Sequence, residues 1–312
     1  MPPIFIRPLA LAAALAAMPF AFARAQAPES AVAGYNEVFS FGDSLSDAGN
    51  DWVATAHAEP VSPPYSMGRF TNGNVWVQYL AKALGLKRPA PSLLGGRDFA
   101  FGGAETGATA VHTLSQLDLP AQLAEFTLSY PRAPARALYT LSIGGNDLFA
   151  ALTGGGAGQV AVAQAVANET AFVSALVAQG ARHILVMNVP DLGFVPSIWS
   201  QGAVAVKAGR TIAAAYDAAL ATALAGVATK TGASIQVLNA YALMDQAVMD
   251  HRPFGFTDVH TACWTGTYTS ATSGTVCAPT VWGQDKHLFW DGVHPTTHGH
   301  ALLAAQAMTQ LP

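Results

Sequence analysis

The sequence predicts an α/β protein, a three-layer α/β/α sandwich with a central, mostly parallel sheet. Two observations carry this. Short apolar runs alternate with longer stretches of helical spacing, the pattern of parallel strands joined by crossover helices. The short runs are also nearly uniformly apolar, as in residues 183–189 (HILVMNV), which fits strands covered on both faces. Composition agrees. Of 312 residues, 51% are hydrophobic and only 11% charged, so the chain can bury a large core and is not a disordered one.

In chain order, residues 38–41 form a strand that ends in the turn Gly42-Asp43-Ser44. Residues 75–84 have helical spacing and stop at Gly85. Residues 98–101 are a brief strand before Gly102-Gly103, and 137–143 (ALYTLSI) a strand before Gly144-Gly145. An Ala/Val-rich helix over 160–179 closes at Gly180. After the 183–189 strand come a helix over 202–230, a last strand at 234–238 (SIQVL) and a closing helix over 299–310. Ligands of such sheets bind beyond the carboxyl ends of the strands, where three of these glycine-rich turns lie.

The first 25 residues stand apart. Arg7 precedes an uncharged apolar run over 9–22, followed by the small-x-small triplets Ala21-Phe22-Ala23 and Ala23-Arg24-Ala25. This is the pattern of a secretory signal peptide, short for a membrane span, with an uncleaved N-terminal anchor as the alternative. The expectation is a leader over 1–25, a single domain over 26–312, and a secreted or periplasmic protein with no stable membrane span. Transient contact with a lipid surface is compatible with this. The net charge is −4 and no basic stripe is present, so nucleic acid is not an expected partner.

Three segments carry chemistry. Ser44 directly follows a strand on a tight turn, which places a hydroxyl at the sheet's carboxyl edge. Asn146, in Gly144-Gly145-Asn146-Asp147, can point an amide N–H at a developing oxyanion. Asp291 and His294 stand three apart in Trp290-Asp291-Gly292-Val293-His294-Pro295, so the carboxylate can reach the imidazole. They are the orienter and base that a serine nucleophile needs. Each segment alone is also an ordinary turn, a helix cap or a loop histidine.

Together, and in this order, they resemble the GDSL, or SGNH-hydrolase, superfamily of esterases and lipases. The run from Phe41-Gly42-Asp43-Ser44 to Gly49-Asn50 resembles its first block, and Asp98-Phe99-Ala100-Phe101-Gly102-Gly103-Ala104 its second. The Gly-Gly-Asn-Asp turn resembles the third and Asp291-x-x-His294 the last. Gly68-Arg69-Phe70-Thr71-Asn72-Gly73 and Val189-Pro190-Asp191-Leu192-Gly193 are similar to segments of its secreted bacterial lipase/phospholipase branch. The resemblance implies a flavodoxin-like sheet and a triad of Ser44, His294 and Asp291. It also implies an oxyanion hole from the Ser44 N–H, the Gly102 N–H (Gly103 being the runner-up) and the Asn146 side chain, with no cofactor. Asp98 departs from the Asn that many members carry, and a weakened local hydrogen bond is expected there. The implied activity is a secreted carboxylic ester hydrolase acting through an acyl-enzyme on Ser44. The alternatives are a phospholipase or lipid acyltransferase with the same triad, or a silent binding module on the same fold.

His294, His298 and His300 invite a metal reading. Pro295 and Gly299 break the helix that would align them, and no acid or thiol stands at ligand spacing beyond Asp291, so no metal is expected. His298 and His300 read as first-turn helix residues, and His112, His183 and His251 as ordinary ones. Cys263 and Cys277 are too few for a disulfide scaffold; in an exported chain they are expected to form one bridge. The aromatics around this loop, Phe254, Phe256, Trp264, Tyr268, Trp282, Phe289 and Trp290, are expected to divide between core and acyl-chain site.

Overall fold

A computed structural model describes residues 34–107, 117–154 and 158–312. The predicted leader over 1–25 and His112 lie outside them. Four strands, β1 (Glu37–Gly42), β2 (Ala137–Ser142), β3 (His183–Met187) and β4 (Ser234–Leu238), form a parallel sheet in the order β1-β2-β3-β4.

Strand alternation divides the core between two faces. Phe39, Phe41, Tyr139, Leu141, Ile184 and Val186 point to one side. There they meet α3 (Leu119–Ser129), α5 (Gly158–Gln179) and α7 (Ala203–Thr231), through Phe126, Val173, Leu176, Tyr216 and Leu220. Val38, Leu138, Leu185, Met187 and Leu238 point to the other side, against α2 (Trp76–Ala83) and α10 (Thr297–Gln310). The three layers are those predicted. α5 and α7 are long and apolar enough to cross a bilayer. Both instead contribute to the core on one face of the sheet, which explains their apolar character.

One strand prediction needs correction. Residues 98–101 do not join the sheet as a regular strand, but make parallel bridges at Asp98 to Ser40 and Pro91. The segment runs along the free edge of β1, with Ser40 N–H on the Arg97 carbonyl at 2.9 Å and Phe99 N–H on the Ser40 carbonyl at 2.7 Å. Its place gives the edge order 2-1-3-4-5 of flavodoxin-like sheets. The Gly102-Gly103 turn ends the pairing early.

Three helices at the carboxyl edge matter for the site. They are α1 (Asn50–Ala54), α4 (Gly145–Thr153) and α8 (Ala240–Met249). The sequence reading passed over α3 and α8, whose short stretches show little helical periodicity. It also missed a small parallel pair, β5 (Asp258–Ala262) and β6 (His287–Phe289), which supports the segment leading to Asp291.

Candidate active site

Gly42 makes the first turn possible. Its φ is +130°, and a Cβ there would stand 1.9 Å from the Ser142 carbonyl oxygen. Gln122 of α3 closes the end of the strand, accepting from Gly42 N–H at 2.9 Å and donating to its carbonyl at 2.8 Å. The chain then turns through Asp43, whose carbonyl accepts the N–H groups of Ser46 and Asp47. Ser44 sits on this turn with its backbone N–H free of protein partners among the described residues.

Ser44, His294 and Asp291, 250 residues apart in sequence at the extremes, come together. His294 Nε2 lies 2.7 Å from Ser44 Oγ, and its Nδ1 lies 2.8 Å from Asp291 Oδ2 and 2.9 Å from Oδ1. Asp291 Oδ1 also accepts the backbone N–H groups of Val293 and His294, both at 2.9 Å. Tyr65 donates its hydroxyl to Oδ2 at 2.8 Å. Burial alone would raise the Asp291 carboxyl. The His294 charge and these hydrogen bonds outweigh it and hold the group below the usual carboxylate range.

The turn after Ser44 is locked to the Gly102 segment by buried carboxylates. Asp47 accepts from the N–H groups of Gly49, Asn50 and Asp51 and, at 3.2 Å, from Gly102. Asp98 accepts from Ala48 N–H and, at 3.3 Å, from Ala100 N–H. The Asp98 side chain thereby fastens the Ser44 turn to the sheet edge. Asn50 adds two bonds, to the Asp98 and Ala100 carbonyls.

The two glycines differ in their surroundings. The Gly102 N–H is already engaged by Asp47, and a Cβ on Gly102 would stand 2.4 Å from both Asp51 and Phe70. Gly102 is thus closely packed. The next residue, Gly103, is exposed in the left-handed region at φ +71°, and its N–H has no protein partner among the described residues. Asn146 opens α4 behind Gly144, whose φ is +102° and beneath which lies the Tyr216 hydroxyl. The Asn146 amide gives one hydrogen to the Ala104 carbonyl at 2.8 Å and keeps a second.

A cavity of about 500 Å³ opens over Ser44 and His294. It crosses the carboxyl edge of the sheet from Ser44 past Ile143 and Val189 to Ala240, Leu243 and Met244. No lysine or arginine among the described residues lines it.

Cys263 and Cys277 are disulfide-bonded. Their loop presents Tyr268 to the site, with its ring 5.8 Å from His294 and edge-on. Phe70 lies 5.3 Å from the same imidazole. Of the other aromatics named from the sequence, Phe256, Trp264, Phe289 and Trp290 are core residues and Trp282 is exposed. His298 and His300 do stand in the first turn of α10, each with a protein partner. His298 Nε2 lies 2.7 Å from the Phe254 carbonyl, and His300 Nδ1 accepts from Trp76 N–H. Burial lowers His300 to about 3.

The sequence reading missed Tyr65, Asp51 and Glu59, all of which adjoin the site. Tyr65 lies three residues before the quoted Gly68–Gly73 block, which was its only signal.

Residues 38–307 match the family model GDSL-like Lipase/Acylhydrolase. The chain is 28% identical to a phosphatidylcholine-sterol acyltransferase of Aeromonas hydrophila, over 88% of this chain and 90% of that protein. It is 24% identical to a GDSL esterase/lipase of Arabidopsis thaliana, over 88% of each. An acetylxylan esterase from Geobacillus stearothermophilus superposes with a TM-score of 0.50 at 16% identity, covering 90% of this chain and 96% of that one. At that identity the likeness bears on the fold alone.

Proposed function

The chain belongs to the GDSL-like lipase/acylhydrolase family, and we propose that it is a secreted carboxylic ester hydrolase with Ser44 as its nucleophile. One observation carries the reading, the continuous contact from Ser44 Oγ through His294 to Asp291 at 2.7 and 2.8 Å. His294 Nε2 takes the hydroxyl proton as Ser44 attacks the ester carbonyl, and Asp291 orients the ring and stabilises the imidazolium. The oxyanion is met by the N–H groups of Ser44 and Gly103 and by the free amide hydrogen of Asn146. His294 then protonates the leaving alcohol, and water takes the serine's place in the second step.

A lipid acyltransferase reading uses the same residues, with an alcohol in place of that water. It is favoured by one observation, the similarity to the phosphatidylcholine-sterol acyltransferase. The leader over 1–25 and export are part of the proposal; the Cys263–Cys277 bridge supports an oxidising destination. A single hydrolase domain over 26–312 is proposed with them.

The experiment is labelling by a fluorophosphonate probe together with hydrolysis of nitrophenyl esters. Ser44→Ala is expected to abolish both, and His294→Ala to lower turnover by at least about 10⁴-fold. Labelling at a residue other than Ser44 would overturn the assignment. A product assay with added alcohol separates hydrolase from acyltransferase.

A further inference from the structure

Beside His294 the cavity has a polar arm that the ester chemistry does not use. Asp51 and Glu59 line it, with the rings of Phe70 and Tyr268. The rings lie 5.4 Å apart at 81°, and both flank the imidazole. Asp51 is only 2% exposed, and its Oδ1 accepts no hydrogen bond. Among the described residues, neither the Asp51 nor the Glu59 carboxyl group has an ion pair. The nearby guanidinium of Arg69 is turned to Gln78 and the Ser66 carbonyl and does not line the cavity.

Buried carboxyl groups are ordinarily paired. Here burial, followed by the charges of Asp47 and Glu59, pushes the Asp51 carboxyl well above its usual range. This arm therefore brings together two carboxyl groups without a cationic partner, beside the rings of Phe70 and Tyr268. An ammonium group bound there favours the ionised form of Asp51, releasing its proton to solvent, and pairs with it and with Glu59 next to the polarised rings of Phe70 and Tyr268.

The position fixes which half of the ester would carry that ammonium. His294 must reach the leaving oxygen to protonate it, so the alcohol half lies on the imidazole's side of Ser44. That is the side of Phe70 and Tyr268, and Asp51 packs against Gly102 beside Phe70. The acyl half is left the apolar arm toward Leu243 and Met244. We propose that the Asp51–Glu59–Phe70–Tyr268 arm is a subsite for the alcohol half of the ester, and that it selects alcohols bearing a positively charged ammonium group. The inference rests on the acyl-enzyme reading above.

The test compares two butyrate esters of the same shape, that of choline and that of its carbon isostere, in which a tert-butyl group replaces the trimethylammonium. The charged ester is expected to have the higher kcat/KM by roughly 3- to 30-fold, the range of cation–π and desolvated charge contacts. Glu59→Gln and Asp51→Asn should each narrow the ratio. The ratio is read within one enzyme, so a loss of folded protein does not imitate the effect. If the wild type hydrolyses both esters with a ratio of one or less, the subsite is overturned and the esterase reading stands. Failure to turn over either ester, with no labelling of Ser44, overturns the esterase reading and the subsite with it. A ratio above one that Glu59→Gln leaves untouched removes Glu59 from the subsite and overturns the arm as drawn.

Discussion

The Tyr65 hydroxyl donates to Asp291 Oδ2 at 2.8 Å, joining residues 226 apart in sequence. Asp291 therefore has donors on both oxygens: two backbone N–H groups and the imidazole on Oδ1, and Tyr65 with the imidazole on Oδ2. A carboxylate so held cannot rotate away from His294, and Tyr65 itself is buried against Trp290 and Tyr268. Tyr65 is a positioning residue for the proposed triad.

Tyr65→Phe removes one hydrogen bond to a charged group and little packing. Such bonds are worth about 1.5–3 kcal/mol, and if part of that is felt in the transition state, kcat falls by roughly 3- to 30-fold. KM should change little, because Tyr65 does not line the cavity. Steady-state kinetics checks it, and wild-type kcat would show that Asp291 is oriented without Tyr65.

Asn146→Ala should lower kcat by about 10²–10³-fold with a smaller effect on KM, the signature of a donor used as charge develops. The two glycines should resist substitution for different reasons. Gly102→Ala forces a methyl to within 2.4 Å of Asp51 and Phe70 and should cost about 1–3 kcal/mol. Gly103→Ala meets no atom within 4 Å and pays only for its positive φ, about 1–2 kcal/mol. Thermal melts of the two variants check these costs; a Gly102→Ala protein as stable as the wild type would contradict the clash.

Reduction of Cys263–Cys277 should lower Tm, since closing a loop of this length contributes about 3 kcal/mol. Activity should fall first. The loop's Tyr268 carbonyl accepts Val61 N–H at 2.6 Å, and its ring packs on Tyr65, Phe70 and His294, so loosening it frees both Tyr65 and the imidazole. Activity and melting are followed together against a graded reductant. Unchanged activity in the fully reduced, folded protein would detach the loop from the site.

Stability should fall as pH rises from 5 to about 9. Burial, the largest cause in each case, raises Asp147 to about 6, Asp43 and Asp217 to about 7 and Glu169 to about 8. These groups hold protons in the fold that the unfolded chain releases near pH 4. Their contribution is complete below that value and is lost as pH passes upward through about 6 to 8. Asp291 works oppositely: its pKa is depressed, so its contribution is present in this range and is lost only on strong acidification. Glu169→Gln, which keeps an oxygen for the Tyr216 hydroxyl, should flatten the Tm–pH curve. A wild-type Tm that is flat or rising over the range would contradict the burial argument.

What the sequence by itself determined is what local chemistry encodes. The alternation of apolar runs and helical stretches specified a parallel three-layer fold, because strand and helix periods are written in neighbouring residues. The turn at Gly42-Asp43-Ser44 and the Asp291-x-x-His294 spacing were legible for the same reason: each is a short segment whose backbone needs are local. The tertiary structure alone decided which pieces meet. Nothing within a few residues of Tyr65 signals Asp291, and nothing near Asp51 signals Phe70 or Tyr268. Gly102 and Gly103 are equivalent in sequence; the Asp47 carboxylate, reaching 55 residues along the chain to one N–H, and the packing of Asp51 and Phe70 on Gly102 distinguish them. The edge segment at 98–101 reads as a strand but pairs as bridges, since pairing depends on the neighbour that β1 presents rather than on the segment's own residues. Hydrogen bonds and burial act through space over a few ångströms, and a pattern in one dimension carries them only where the chain is its own neighbour.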